Sequence, residues 1–520
     1  MFVTSLDSNF GVKKMLFRTY CATCVGLEVI PVVVEISVQT GIGIFLVGLP
    51  DSAVKESLLR VTTALQSCDY RIPGRKVVIN LAPANLRKEG SGYDVAIAIG
   101  LLAASQQIIA PDISDFLILG ELSLDGTLRS VPGALPIAMK GAEMGFKKCI
   151  FPADSAMEAS EVEGITIYGV RNISEVVDVI NGAVYTESLV VKRGNIAIEP
   201  KVYKSDFKDV IGQGFAKRGL EIAASGGHNL ILSGPPGSGK SFMASCLASI
   251  LPPMSRHESL VTSAIYSVAG LLSGSGGLIR ERPFRTPHNT SSVVAMVGGG
   301  PSASPGEISL AHNGVLYLDE ISLFSATTLD LLRQPLEDRS ISISRARYKV
   351  TYPASFMLVG SMNPCPCGYY GEEGEKCTCT PGMISRYLSK ISGPLLDRMD
   401  LNINVRPVEK DLLVSGARGE GSAAIAQRVM AARKVQMERF ARDGIYTNSQ
   451  MDARQLNTYC PLGKNERDFM GKAMDKLALS ARGYGRILRV SRTIADLAGE
   501  KNISISHISE ALLYRFQDFL

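Results

Sequence analysis

The run Gly234-Pro235-Pro236-Gly237-Ser238-Gly239-Lys240-Ser241 ends in an ammonium and a hydroxyl, the two side chains a triphosphate most needs. Its glycines allow a turn in which backbone amide hydrogens converge on one point, where any side chain would hold an anion away. At this spacing Lys240 reaches the β- and γ-phosphates and Ser241 ligates Mg2+. A second pair of candidates, Asp319 and Glu320, closes the apolar run Val315-Leu316-Tyr317-Leu318. There Asp319 would hold Mg2+ through water and Glu320 would polarise the attacking water. Paired acids at a strand end also occur as plain solvated termini, but their place roughly eighty residues after the phosphate loop favours the metal and base roles. Cys365, Cys367, Cys377 and Cys379 form two C-x-C pairs nine residues apart. Four thiolates this close suit a tetrahedral Zn2+ site, with reduced or redox-active thiols as the alternative. Cys21 and Cys24, a lone C-x-x-C, read as packing cysteines.

These residues need elements to hold them. Leu230-Ile231-Leu232-Ser233 reads as a buried strand, and the segment from Phe242 to Leu251 continues as a helix whose N-terminus points back at the loop. The runs before Asp319 and over Ser355 to Met362 read as further strands, and ligands of open α/β sheets gather at strand C-terminal edges. Two alternating segments, Ser340 to Ser344 and Tyr348 to Tyr352, predict a hairpin whose tip carries Arg345, Arg347 and Lys349. Arg280, Arg282 and Arg285, beside Phe284 and ahead of Gly298-Gly299-Gly300, suit a loop that grips phosphate backbone or a subunit contact equally. From about Asp411 the pattern is helical, with Ile425, Val429, Ala432 and Val435 at three- and four-residue spacing and a last helix over Ser506 to Phe519.

Upstream, strand-like runs (Ile30 to Val38, Ile44 to Val47, Lys76 to Leu81, Phe116 to Leu119) alternate with helical ones (Asp51 to Gln66, Tyr93 to Ser105, Val131 to Gly145), a layered α+β pattern. The expected division is 1–14, a disordered extension or start-site artefact ahead of Met15; 15–182, the α+β domain; 183–205, a linker; 206–405, the phosphate-loop core; and 406–520, a helical lid. Hydrophobic residues make up 46% and charged residues 20% of the 520, so the chain is globular rather than disordered. The net charge of +5 is too small to argue for a polyanionic partner by itself. No run of eighteen uncharged apolar residues or cleavable leader is read, and ten cysteines in so long a chain make no disulfide scaffold. The expected compartment is the cytoplasm.

Gly48-Leu49-Pro50-Asp51, Val54-Lys55-Glu56-Ser57, Asn80-Leu81-Ala82-Pro83-Ala84 and Lys88-Glu89-Gly90-Ser91 resemble the N-terminal domain of the Mg-chelatase-like AAA+ ATPases of the ComM (YifB) type. The likeness continues through Pro305-Gly306-Glu307-Ile308-Ser309-Leu310-Ala311-His312 and Ser392-Gly393-Pro394-Leu395-Leu396-Asp397-Arg398-Met399-Asp400, and covers 15–520. The resemblance implies an α/β protein: an AAA+ P-loop ATPase core with a helical lid, preceded by a Lon-protease-like (ribosomal S5 domain 2-like) α+β domain. It implies ATP and Mg2+ as cofactors, Ile211 against the adenine, Asn363 as sensor 1, Arg398 as an arginine finger serving the neighbouring subunit, and Arg486, with Arg489 as fallback, as a cis sensor 2. A shared guanidinium implies a ring, here a homo-hexamer. The family's output is DNA translocation and branch migration during natural transformation, on single-stranded and branched DNA and alongside recombination proteins. Matching the Lon-type Ser-Lys dyad puts Gly92 at the serine and Pro136 at the lysine, so peptide hydrolysis is not expected, and Ser91 reads as a turn residue. The rival is a chelatase-type ATPase that remodels a protein for metal insertion; no D-x-S-x-S motif is present, so it would need a partner subunit.

Overall fold

The computed structural model describes residues 15–85, 88, 90–192, 203–272, 277–300, 303–344, 349–371, 377–408, 411 and 419–515; the expected extension over 1–14 lies outside them. In the N-terminal part the helix Asp94–Ala104 is buried along its whole length. Its sequence is apolar all round, which suits a helix covered on every side. One cover is a sheet ordered Met15–Val25, Glu28–Gln39, Lys76–Ala82, Ile44–Val47. Helix and sheet approach so closely that a Cβ on Gly100 would lie 2.4 Å from Cδ1 of Ile36. A second, parallel sheet follows: Phe116–Ile118, Lys148–Pro152 and Thr166–Val170. The first strand, Met15–Val25, is not among the strands the alternation predicts, because Arg18, Thr19 and Thr23 interrupt its apolar pattern. The segment expected as a linker starts with a 3-10 turn, Val184–Leu189, and Val191 donates to the Ile167 carbonyl at 2.9 Å, so the chain stays on the second sheet that far.

The core sheet has the order Phe284–Arg285, Val315–Leu318, Met357–Met362, Leu230–Ser233, Leu401–Asn404. Every pair in it is parallel. Its central strands are buried at every position, which is why they read as continuous apolar runs rather than alternating ones. The predicted hairpin forms as Ser340–Ser344 against Lys349–Pro353. Ile341, Ile343, Val350 and Tyr352 face the core while Ser342, Ser344, Lys349 and Thr351 face out.

The N-terminal part is bound to this core by several contacts, among them Arg256 with Glu163 and Arg280 with Glu161. Gly133 donates to the Ser267 carbonyl at 3.0 Å, and Ser267 Oγ donates to the buried Glu158 carboxylate at 2.6 Å. The turn at Gly26 meets the hairpin so closely that a Cβ there would lie 2.1 Å from Cγ1 of Val350. The C-terminal helices dock at the amino end of the core strands, where buried His228 lies 3.0 Å from Asp400 and 2.8 Å from Thr493. On the helix Ser422–Arg439 the buried stripe is Ile425, Val429, Ala432 and Gln436; Val435, expected inside, is 42% exposed. The amide of Gln436 replaces it because it links the Ser225 carbonyl and the Asn448 amide, both at 3.0 Å, and both of these groups are otherwise sealed from water. The last described helix is Ile505–Leu513; Phe519, the expected end, lies outside the described residues.

Buried His312 accepts a hydrogen bond from the Ser355 amide at 3.0 Å, fixing the chain where the strand Met357–Met362 begins. Burial lowers its pKa from 6.5 to about 4, with Glu258 opposing and Arg282 and His257 assisting. The unfolded chain thus takes up a proton near pH 6.5 that the folded chain refuses until about pH 4. Stability is therefore complete above that window and falls as pH drops through it. Between pH 7 and pH 5 the loss from this group should be about 2 kcal/mol. Denaturant unfolding of wild type and His312→Gln at both pH values checks this: the variant should lose the pH-dependent part, and parallel decline of the two would refute the assignment.

Candidate nucleotide site

Strand register decides which residues meet. Val359 lies opposite Leu230 on one side and Tyr317 on the other. Gly234 and Asn363 consequently leave the sheet at one level and Asp319 two positions earlier, beside Ser361, all at the carboxyl edge. Gly234 donates to the Met362 carbonyl at 3.3 Å, and a Cβ on it would lie 2.2 Å from the carbonyl oxygen of Val405. The loop then turns through Gly237 and Gly239, with φ +76° and +88°, into the helix Lys240–Leu247. Pro235, Pro236 and Ser238 complete the loop, and Ser238 Oγ closes it on the Pro235 carbonyl at 2.9 Å.

Lys240 Nζ donates to the carbonyls of Gly234 and Pro235, both at 2.8 Å, and to Asn363 Oδ1 at 3.1 Å. Burial lowers its pKa, with Asp319 and Glu320 opposing. Ser241 Oγ donates to Asp319 Oδ1 at 3.2 Å, so the two groups that would hold Mg2+, one of them through water, stand side by side. Asp319 also accepts from Tyr317 at 2.7 Å and from Ser361 at 2.6 Å. Partial burial would raise its pKa, but the hydroxyls of Ser361, Tyr317 and Ser241 outweigh that and hold the carboxyl below the usual range. Glu320 has φ +49°, a left-handed conformation unusual for a residue with a side chain. Its amide donates to Ser361 Oγ at 2.9 Å, and its carboxylate is left exposed at the same edge. Tyr317 and Ser361 are absent from the sequence-derived set. Tyr317 stands two positions before Asp319 on its own strand and was visible as a polar group in an apolar run; Ser361 comes from another strand and carried no signal.

Arg398 and Arg486 lie elsewhere. Both line a cleft of 880 Å³ whose wall includes Asn229, Gly314, Met357 and Asp400, residues at the amino ends of the core strands. Arg486 Nη1 donates to the carbonyls of Leu396 and Met399 at 3.2 and 3.0 Å, and Arg489 to that of Met451 at 3.0 Å. Arg398 donates to the Pro394 carbonyl at 2.6 Å and pairs with Glu337, not with Asp397 or Asp400 as a simple surface pair would have it. A four-residue parallel strand spans about 13 Å, and none of the phosphate-loop residues line this cleft. The expectation that Arg486 serves its own phosphate loop therefore fails on geometry: it sits with Arg398. Gly483 and Gly485, which precede it, are inside the helix Ala481–Leu497, which Ser480 caps by accepting from the Gly483 amide at 3.1 Å.

Ile211 is half-buried in a turn with Gly212 and Gln213, and Gln213 donates to the Arg406 carbonyl just beyond the last core strand. Lys349 is exposed at the hairpin end, and Arg345 and Arg347 lie outside the described residues. The arginine loop turns inward: Arg282 pairs with Glu258 at 2.9 Å and Arg285 with Glu307 at 2.6 Å, so these guanidiniums brace the insertion instead of presenting charge. In the N-terminal part Ser91 donates to Glu121, Gly92 accepts from the Gly120 amide at 3.1 Å, and Pro136 is buried in the helix Ala134–Glu143. The sulfurs of Cys365, Cys367, Cys377 and Cys379 all lie within 4.8 Å of one another. No described helix is long and apolar enough to cross a membrane.

Replacing Ser361 by Ala removes a donor from Asp319 and an acceptor from the Glu320 amide together. A hydrogen bond to a charged group contributes about 1.5–3 kcal/mol, so Mg2+-dependent nucleotide turnover should fall about tenfold or more, with the fold intact by circular dichroism. Unchanged turnover would show that the Asp319 orientation does not depend on Ser361.

Sequence comparison places this geometry in a known setting. Residues 206–413 match the family described as Magnesium chelatase, subunit ChlI; residues 34–155 match Subunit ChlI of Mg-chelatase; and residues 419–515 match Magnesium chelatase, subunit ChlI C-terminal. The competence protein ComM of Haemophilus influenzae is 43% identical over 503 residues, covering 95% of this chain and 96% of that protein. YifB of Escherichia coli is 42% identical over 497 residues, again 95% and 96%. The magnesium-chelatase 38 kDa subunit of Chlorobaculum parvum is 24% identical over 308 residues, 54% of this chain and 80% of that subunit. With a phosphate loop, paired acids and a polar strand end brought to one edge of a parallel sheet, and with relatives at this identity over nearly the full length, the chain belongs to the magnesium-chelatase ChlI-like family of ATPases, alongside YifB and ComM.

Proposed function

We propose that the chain is a ring-forming, ATP-driven motor: a homo-hexameric DNA translocase that promotes branch migration in recombination during natural transformation, working in the cytoplasm. The observation that carries the reading is the separation of the two charged sets by the length of the core strands. Lys240, Ser241, Asp319, Glu320 and Asn363 crowd the carboxyl edge, and Arg398, Arg486 and Arg489 line the amino edge. Guanidiniums that cannot reach their own phosphate loop are useful to that of a neighbour, and a head-to-tail contact of this kind closes into a ring.

In this reading Lys240 and the loop amides hold the β- and γ-phosphates of ATP, and Ser241 and Asp319 hold Mg2+. Glu320 polarises the water, Asn363 orients it, and Ile211 lies against the base. Arg398 would exchange Glu337 for the neighbour's γ-phosphate, with Arg486 beside it. Zn2+ on Cys365, Cys367, Cys377 and Cys379 completes the cofactor set. The DNA part draws on the hairpin, whose exposed end carries Lys349 and, outside the described residues, Arg345 and Arg347, and on the name of the Haemophilus relative, a competence protein. The N-terminal domain is read as Lon-like in fold and silent as a peptidase. The ChlI matches support the rival, a chelatase-type ATPase acting on a protein partner.

Turnover stimulated by forked or four-way DNA, with ring assembly seen by light scattering, is the expected result; stimulation by a protein partner and indifference to DNA would favour the rival. Glu320→Gln should keep ATP binding and lose turnover by at least about a hundredfold. Arg398→Ala and Arg486→Ala subunits should each retain ATP but silence wild-type neighbours in mixed rings. If either variant hydrolyses ATP normally as a homogeneous ring, the shared-interface arrangement is wrong for that residue.

A further inference from the structure

The cysteine loop is placed against three parts of the nucleotide site at once. The sulfur separations Cys365–Cys367, Cys365–Cys377 and Cys367–Cys377 are 3.3, 3.6 and 3.4 Å. A disulfide requires about 2.05 Å, whereas four sulfurs about 2.3 Å from a single Zn2+ form a tetrahedron with edges of roughly 3.8 Å. Two residues before Cys365, Asn363 accepts from Lys240 at 3.1 Å. Within the loop, Gly368 donates its amide to Cys365 Sγ at 3.2 Å. Gly368 has φ +90°, and a Cβ there would lie 2.5 Å from Cδ of Pro236 in the phosphate loop. Just past Cys379, Thr380 caps the helix Pro381–Leu388, and Tyr387 of that helix accepts from Ser322 at 2.7 Å, two residues after Glu320. The thiol cluster therefore sits where the lysine's partner, the phosphate loop and the turn after the base converge.

Taking the phosphate loop as the ATP site, we infer that Zn2+ bound by these four thiolates sets the nucleotide affinity of that loop, by holding Gly368 seated on Pro236 and Asn363 within reach of Lys240. A short loop of irregular backbone has few apolar contacts with which to hold a fixed shape, and four metal bonds supply what packing does not. The ion acts as a brace and takes no part in the chemistry of hydrolysis.

The test uses the full chain and two readouts: zinc per chain by elemental mass spectrometry, and the Kd of a fluorescent ATP analogue. Wild type should carry one zinc. The double variant Cys377→Ser, Cys379→Ser should lose the metal and weaken nucleotide binding about tenfold or more. Gly368→Ala keeps all four ligands, so it should retain zinc yet bind nucleotide about tenfold more weakly. Should the double variant fail to fold, wild type stripped of zinc by a chelator takes its place, and tight analogue binding by that folded zinc-free chain overturns the inference. Wild type that takes up no zinc from a Zn2+-containing buffer overturns the inference. So does a Gly368→Ala variant, or a folded zinc-free double variant, that binds the analogue as tightly as wild type. A wild-type chain that takes up zinc but binds no ATP analogue overturns the inference by removing the nucleotide site on which it rests, and is distinguished by Lys240→Ala behaving identically.

Discussion

The parallel direction of the core strands is the constraint on which the rest depends. When every strand runs the same way, all carboxyl ends share one edge and all amino ends share the other. The register between Leu230–Ser233, Val315–Leu318 and Met357–Met362 then brings a lysine, a serine, two acids and an asparagine from distant parts of the chain to one side. The same direction puts the segment that carries Arg398, which leads into Leu401–Asn404, on the opposite side. The lid helices bind there too, through His228, Asp400 and Thr493, and take Arg486 with them. A single topological fact thus both assembles the candidate nucleotide site and puts Arg398 and Arg486 on the side away from it.

Apart from the exposed Glu320 carboxylate, the charges at this edge are held by neighbours. Asp319 is kept ionised by three hydroxyls, although its partial burial pulls the other way. Lys240 rests on two carbonyls and one side-chain amide, neutral acceptors that an anion can replace without breaking an ion pair. Arg282 and Arg285, by contrast, are tied to Glu258 and Glu307. Side chains that look alike in a list of basic residues are therefore in different states: some locked into the framework, others held by a single exposed acid such as Glu337.

The N-terminal part is attached to the insertion and to the hairpin of the core. It touches the helix Arg256–Val268 through Ser267, and it touches the hairpin through Gly26 and Val350. The glycine at the turn is needed for closeness, because a side chain there would occupy the volume of Val350. The hairpin is thus braced on its inner face, while Ser342, Ser344, Lys349 and Thr351 face out.

The sequence determined the local parts. Glycine spacing gave the phosphate loop, continuous apolar runs gave the buried strands, and alternation gave the hairpin, because each of these depends on neighbours within a few residues. Lys240, Ser241, Asp319 and Glu320 stood out as candidates for that reason, as did the four cysteines, whereas Asn363 came from the family resemblance. Only the tertiary structure decided that Ser361 orients Asp319, that Gln436 and not Val435 faces inward, that Arg282 and Arg285 are spent on internal acids, and that Arg486 stands with Arg398 away from its own phosphate loop. Those outcomes depend on strand order, register and helix docking, which bring together groups separated by tens or hundreds of residues, and periodicity carries no information about such distances.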